Sequence, residues 1–165
     1  MNARTAAAII TLGLAVAGAG QAQEEGLGVG IMVGEPTGLS LKKWVGGNRA
    51  IDAGVAWSTS ENDSLHLHAD YLVHNPDLLA TPDKDGRFLL YCGIGARMKL
   101  EEDNNGRGRN NDDTLVGIRV PFGISYQFSK APVDIFAEIV PVLDVVPDTE
   151  FDLSAAIGAR FYFGK

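Results

Sequence analysis

The chain has 165 residues, with 14 Lys or Arg against 21 Asp or Glu, and its formal net charge is −7 at pH 7. This length suits a single domain with one core, and the acidic balance argues against a nucleic-acid partner, because phosphates select basic surfaces. The one cysteine, Cys92, excludes a disulfide within the chain.

The first 22 residues have the three zones of a secretory signal. Arg4 is their only charged residue, an apolar run follows over residues 6–19, and Gly20-Gln21-Ala22 supplies small residues before a cleavage point. The run is shorter than the roughly 20 apolar residues of a membrane-spanning helix, which makes a membrane anchor the weaker interpretation. We therefore predict a cleaved signal peptide over residues 1–22 and one exported domain over residues 23–165.

From Gly26 onward, apolar and polar residues alternate with period two, and the alternation is interrupted by turn residues such as Gly, Asn, Asp and Pro. The alternation predicts eight strands, over residues 27–33, 39–45, 51–57, 65–73, 88–100, 116–128, 133–143 and 151–163. The short connections indicate antiparallel neighbours in a meander. Pro121 and Pro141 fall inside these strands, and because proline lacks an N–H we expect a bulge at each.

The two faces of the predicted strands differ in chemistry. One face is apolar almost throughout, with Lys43 as its only charged residue, and alternation alone allows it to line an internal apolar cavity or to contact lipid. The other face mixes charged residues with many glycines. Glycine weakens an exposed strand, but the narrow lumen of an eight-stranded barrel requires small residues beside long ones. The sequence therefore predicts an all-β fold, an eight-stranded antiparallel up-and-down transmembrane β-barrel with the charged face inside.

The inward face carries charges of both signs. Besides Lys42, nine residues are predicted to form a lumen charge network: Asp52, Asp70, Arg97, Lys99, Arg119, Asp134, Glu138, Asp152 and Arg160. Buried charges must be paired to avoid a cost of several kcal/mol each. We therefore expect paired side chains that plug the lumen, and the alternative is a narrow selective pore.

His66, His68 and Asp70 share one strand face at two-residue spacing. Alternate residues on a strand are roughly 6.6 Å apart at Cα, so these side chains could lean together on a metal ion or a proton. A metal site would need a further ligand from a neighbouring strand. The sequence favours a hydrogen-bonding role for the three residues, and it predicts no cofactor.

Three segments carry a resemblance to a known class of proteins. They are Gly34-Glu35-Pro36-Thr37-Gly38-Leu39-Ser40, Leu65-His66-Leu67-His68-Ala69-Asp70-Tyr71 and Pro132-Val133-Asp134-Ile135-Phe136-Ala137-Glu138-Ile139-Val140-Pro141. With them the chain resembles the small outer-membrane barrels of the OmpA and OmpX type, and it is similar to a set of uncharacterised bacterial outer-membrane β-barrel proteins. The resemblance implies a place in the outer membrane of a Gram-negative-type bacterium, contact with outer-membrane lipid, and insertion by the barrel-insertion machinery.

The expected function is a non-enzymatic one, in which a plugged barrel serves a structural or surface-interaction role. Residues 101–113 form the longest predicted loop on the side away from the termini, and this acidic loop could attract Ca²⁺ or a basic partner. The first alternative is a narrow transport or small-solute-binding barrel. A lipid-modifying enzyme comes third, because the predicted outward face offers no Ser or His as nucleophile or base.

Overall fold

The computed structural model of the protein describes residues 26–58, 64–76, 85–101 and 113–164. These residues form nine β-strands: β1 (Leu27–Gly34), β2 (Gly38–Gly46), β3 (Arg49–Ser58), β4 (Ser64–Asn75), β5 (Gly86–Glu101), β6 (Asp113–Arg119), β7 (Phe122–Phe128), β8 (Val133–Val146) and β9 (Glu150–Phe163). The predicted signal peptide and nearly all of the predicted loop over residues 101–113 lie outside the described residues. Within the described ranges, no helix has the length and apolar composition that crossing a membrane would require.

The strands form one closed antiparallel ring. Successive strands pair from β1 to β5, β8 pairs with β9, and β1 pairs with β9, which closes the sheet. β6 and β7 follow one another along a single position between β5 and β8, so the ring has eight strand positions. The predicted fold class, an eight-stranded antiparallel up-and-down β-barrel, is therefore confirmed.

The register of the strands sets the width of the barrel. Starting from Gly28 and moving round the barrel from each residue to its partner on the next strand, one arrives at Asp152 on β9. The direct partner of Gly28 on β9 is Tyr162, ten residues further along the strand, and this difference is the stagger of the barrel. A stagger of this size in a ring of eight tilts the strands by roughly 40° and leaves a lumen only wide enough for side chains to fill.

Pro121 and Pro141 lie next to one another where β6 ends and β7 begins. The Pro121 carbonyl accepts a hydrogen bond from Gly93 N at 2.9 Å, and the Pro141 carbonyl accepts one from Val120 N at 3.0 Å. Neither ring nitrogen can donate in return. Two ladder donors are thus missing at one place, which explains why the strand between β5 and β8 divides into β6 and β7 there.

The expectation of a bulge at each of these prolines is wrong. Pairing between β5 and the β6–β7 strand keeps one register on both sides of Pro121, and pairing between β8 and β9 runs through Pro141 without a shift. The register shifts that do occur lie between Trp44 and Gly46 of β2 and between Val116 and Gly117 of β6. A proline can evidently be accommodated in this closed sheet by the loss of a hydrogen bond alone.

The strands are longer than the alternation indicates, and the added residues of β4 and β8 include side chains of the lumen. β4 continues to Asn75 and β8 to Val146, so His74 and Asp144, both expected in turns, lie on strands and are buried. Both side chains belong to the inward face.

The apolar face points outward and the charged face inward, as the sequence predicts. On the outside, Ile94, Phe151 and Ile157 have exposed fractions of 60%, 67% and 63%. On the inside, Arg119 and Asp134 are 1% and 0% exposed. The usual arrangement of a water-soluble domain, with apolar residues inside, is therefore reversed.

The two rims of the barrel differ. We call the rim that carries Leu27 and Phe163 the terminal rim and the other the loop rim. Outward aromatic side chains contact one another near the terminal rim, with ring centroids 4.7 Å apart for Phe88 and Tyr126, and 4.9 Å apart for Phe161 and Phe163. At the loop rim, Trp57 and Phe151 are 53% and 67% exposed.

Candidate functional site in the barrel lumen

Arg160 of β9 lies at the centre of one group of polar contacts. Its Nη2 is 2.8 Å from Asp52 Oδ1 on β3, and its Nη1 is 3.6 Å from Asp134 Oδ2 on β8. Its Nε donates a 2.8 Å hydrogen bond to Ser40 Oγ on β2, and the guanidinium carbon lies 3.8 Å from the centroid of the Phe136 ring. One buried side chain thus connects strands on different sides of the ring.

Arg119 of β6 forms a second group. Its Nε is 3.0 Å from Asp70 Oδ1 on β4, and its Nη2 donates to Glu138 Oε1 on β8 at 3.5 Å. The Tyr91 hydroxyl donates to the other oxygen of Glu138 at 3.0 Å. Removing either member of such a pair would leave an uncompensated charge in a buried position.

A layer of contacting aromatic and basic side chains lies in the lumen toward the terminal rim. The Lys42 Nζ lies 2.8 Å from His74 Nε2 and 4.7 Å from the centroid of the Trp44 ring. Because an ammonium group can only donate, His74 Nε2 accepts this hydrogen bond, and Nδ1 carries the proton that faces the Asn48 carbonyl at 3.2 Å. The His74 ring also lies 5.2 Å from the Tyr91 ring, centroid to centroid, and Trp44, His74 and Tyr91 are all buried.

Toward the loop rim the lumen opens into a polar vestibule with a cavity volume of about 660 Å³. Arg97 spans it, since its Nε donates to Asp144 Oδ1 at 2.9 Å, its Nη2 donates to the second oxygen of Asp144, and its Nη1 donates to Asp152 Oδ2 at 2.7 Å. The vestibule is lined by Gly34, Glu35, Pro36, Thr37, Trp57, Ser64, His66, Arg97, Lys99, Leu115, Asp144, Glu150, Phe151, Asp152 and Ser154.

Below the vestibule, Asp52, His68 and Asp70 form a buried cluster in which one ligand atom from each residue lies within 4.8 Å of the others. His66 is not part of this cluster, although its ring centroid is 5.7 Å from that of His68. The described geometry thus groups Asp52 of the neighbouring strand with His68 and Asp70, whereas the sequence grouped His66 with them. The ladder explains this grouping, because Asp52 pairs directly with Asp70.

Inward glycines make room for these polar side chains. A Cβ at Gly54 would lie 2.7 Å from His68 Nε2. A Cβ at Gly95 would overlap the Asp70 carboxylate, and one at Gly117 would overlap that of Asp144. Small residues therefore occupy the ladder positions beside the polar groups of the lumen.

The structure places the nine residues of the predicted charge network on the lumen side, at different depths. Asp52, Asp70, Arg119, Asp134, Glu138 and Arg160 are buried in the middle of the lumen, whereas Arg97, Lys99 and Asp152 line the vestibule. Sequence reasoning missed the contributions of Asp144, His74 and Tyr91. The signal for His74 was present, since it continues the even-numbered inward series of β4 that includes His66, His68, Asp70 and Leu72.

Comparison with known proteins gives a family and a fold. Residues 20–164 match the family described as protein of unknown function (DUF3996). No curated protein sequence matches the chain. Among solved structures, the N-terminal β-barrel domain of Pseudomonas aeruginosa OprF is similar, with a TM-score of 0.56 and 13% identity over 83% of this chain and 95% of that one. At this identity the likeness shows the barrel fold alone.

Proposed function

The chain belongs to the DUF3996 family of proteins of unknown function, and we propose a function for it from the geometry of the barrel. We propose that it is a non-enzymatic outer-membrane β-barrel whose plugged lumen gives it a structural or surface-interaction role. The apolar outer wall is the observation that carries this proposal. Ile31, Ile94, Leu153 and Ile157 on different parts of that wall are each more than half exposed. A wall of this kind is stable in lipid and unstable in water.

The dimensions of the wall suit a bilayer. A tilted strand needs about 9–11 residues to cross the hydrocarbon core, and β3, β4, β8 and β9 have 10, 12, 14 and 14 residues. The aromatic contacts near the terminal rim are typical of a membrane interface. Closure of the ring leaves no strand edge, so the backbone groups can be paired inside lipid.

The lumen contents support a closed barrel. Arg119 and Arg160 cross its middle, and the layer of Lys42, Trp44 and His74 lies in the end near the terminal rim. An eight-stranded barrel has no width to spare beside such side chains. A closed barrel acts through its surface and its loops, and the loop over residues 101–113 is proposed as the surface for an as yet undefined partner.

Membrane location is tested by fractionating cells that express the untagged protein and by comparing its electrophoretic mobility with and without boiling. We expect it in the outer-membrane fraction, with a mobility that changes on boiling because the closed sheet resists detergent until it is heated. Recovery in the soluble periplasm would overturn the proposal.

Closure of the lumen is tested by conductance in planar bilayers. We expect no steady channel from the unchanged protein, and an increased conductance from the double variant Arg119→Ser/Glu138→Ser, which removes the central ion pair. Steady open channels from the unchanged protein would favour the transport alternative.

A second candidate function, binding of a small polar solute, is favoured by one observation, the polar vestibule of about 660 Å³ at the loop rim. Its volume is in the range of small-molecule sites. Calorimetric titration of the folded barrel with small sugars, amines and carboxylates would detect such binding, and the variant Arg97→Gln provides the matched control because Arg97 spans this cavity.

A further inference from the structure

We propose that Asp52, His68 and Asp70 bind a divalent transition-metal ion such as Zn²⁺ at the floor of the vestibule. Imidazole nitrogen and carboxylate oxygen are established ligands of Zn²⁺, and three protein ligands with a water molecule complete a tetrahedral shell. The proposal does not depend on membrane location, since it concerns only groups inside the barrel.

The backbone brings the three side chains together. His68 and Asp70 are alternate residues of β4 and therefore share its inward face. Asp52 on β3 is the ladder partner of Asp70. The three ligand atoms lie within 4.8 Å of one another, so small side-chain rotations would bring them to the separation of about 3.4 Å that two ligands have around a tetrahedral Zn²⁺.

Their polar atoms are buried without hydrogen bonds. The three residues are 4%, 6% and 4% exposed. Among the described residues, His68 Nδ1 has no hydrogen-bond partner, whereas Asp52 Oδ1 and Asp70 Oδ1 make no hydrogen bond but lie at ion-pair distance from Arg160 and Arg119. A buried polar atom without a hydrogen bond is unfavourable, and each one in a native protein calls for an explanation. A cation bound by this cluster would accept a lone pair from His68 and from each of the two carboxylates, whose ligand atoms lie within 4.8 Å of one another.

The guanidinium groups nearby are compatible with this role. Arg160 Nη2 and Arg119 Nε lie 2.8 and 3.0 Å from the same oxygens of Asp52 and Asp70, at ion-pair distance but too poorly aligned for hydrogen bonds. Ligating carboxylates are commonly oriented by outer partners of this kind.

The charges in the middle of the lumen leave a place for a cation. Among the described buried residues of this layer there are four carboxylates and three basic groups, namely Asp52, Asp70, Asp134 and Glu138 against Lys42, Arg119 and Arg160. Arg119 and Arg160 are each shared between two of these carboxylates, and an excess of buried negative charge is costly. A bound cation supplies the missing positive charge.

The neighbouring glycines shape the pocket around these ligands. A Cβ at Gly54 would collide with the His68 ring, and one at Gly95 would collide with the Asp70 carboxylate. The His68 ring therefore lies over β3, on the side of Asp52. The vestibule above offers a route of entry, and its acids Glu35, Asp144, Glu150 and Asp152 outnumber its basic groups Arg97 and Lys99, which raises the local concentration of cations.

The first experiment uses the whole barrel, folded in detergent, stripped of metal and labelled with ¹⁵N-histidine. The chain has three histidines. Addition of Zn²⁺ should shift the ring-nitrogen resonances of His68 in a saturable way at one ion per barrel, and it should leave those of His74 unchanged because His74 is bonded to Lys42 and Asn48. No saturable shift at His68, or shifts that fall on His74, would overturn the proposal without the need for any variant.

The second experiment measures Zn²⁺ affinity by calorimetry for variants that keep the heat-dependent mobility of a folded barrel. His68→Asn and Asp52→Asn should each weaken binding by about 100-fold or more, since even outer partners of a metal site contribute 10–100-fold. His66→Asn is the matched control on the same strand and should bind as the unchanged protein does. Binding that survives both substitutions, or that is lost with His66, would overturn the assignment of these ligands.

Discussion

At the scale of single residues, the lumen shows why glycine is frequent on the inward face. Polar side chains that lie flat against the wall have a glycine beside them, such as Gly95 beside Asp70 and Gly117 beside Asp144. The need for small inward residues could be predicted from the sequence, because a barrel of eight strands is narrow. Which glycine accommodates which side chain could not, since that depends on the register between strands.

The orientation of neighbouring residues gives the first prediction. Ala155 is exposed on the outer wall, whereas Ser154 is 4% exposed and lines the vestibule. Ala155→Arg should lower the free energy of unfolding by about 2–4 kcal/mol, the cost of arginine at the middle of a bilayer. Ser154→Arg should cost less, because its charge would enter the polar vestibule near Asp152.

Urea titration of both variants folded into lipid vesicles measures the difference. Equal costs for the two substitutions would contradict the assignment of the outer wall to lipid.

At the scale of strands, alternation predicted the elements well and their ends less well. The alternation predicts His74 and Asp144 in turns, because each is followed within three residues by a proline, Pro76 and Pro147 respectively. The ladder continues nonetheless, since pairing with the neighbouring strands reaches Asn75 and Val146, the residues directly before these prolines. The pairing of Asp52 with Asp70 could not be predicted either, because alternation specifies the face of a residue and leaves its cross-strand neighbour open.

The junction of β6 and β7 gives the second prediction. In Pro121→Val, the new N–H should donate to the Gly93 carbonyl, because Gly93 N already donates to the Pro121 carbonyl at 2.9 Å. We therefore expect slow hydrogen exchange at the new amide and one uninterrupted strand from residue 113 to residue 128.

Hydrogen exchange followed by nuclear magnetic resonance checks this expectation, and the exposed turn residue Gly47 serves as an internal reference. Exchange of the new amide as fast as that of Gly47 would show that something other than the missing donor divides the strand.

At the scale of the whole molecule, buried ion pairs connect strands that are not neighbours in the ring. Arg119 of β6 reaches Asp70 of β4 across β5, and Arg97 of β5 reaches Asp144 of β8 across β6. Backbone hydrogen bonds join each strand to its neighbours, and these ion pairs add contacts through the lumen between strands that are not neighbours. Charge pairing could be expected from the sequence, but the partners could not, because they are distant along the chain.

The third prediction compares a buried pair with a surface pair. Arg119→Ala should lower the free energy of unfolding by about 3–5 kcal/mol, because it leaves buried carboxylates without their partner. Lys130→Ala is the control, since Lys130 and Asp85 form an ion pair with side chains 80% and 64% exposed, and exposed pairs contribute at most about 1 kcal/mol.

Urea unfolding in vesicles, at low and at high salt, provides both values. A cost for Arg119→Ala as small as that for Lys130→Ala would mean that water or ions replace the guanidinium in the lumen.

The pairing of β1 with β9 also determines when the barrel can close during synthesis. Among the described strands β1 is the first to be synthesised, and one of its two partners, β9, is the last. Until β9 arrives, β1 and β8 both present unpaired edges, which invite pairing with other chains. Contacts between such distant segments form slowly. One edge of β1 therefore has no partner within the barrel until the last of the described strands has been synthesised.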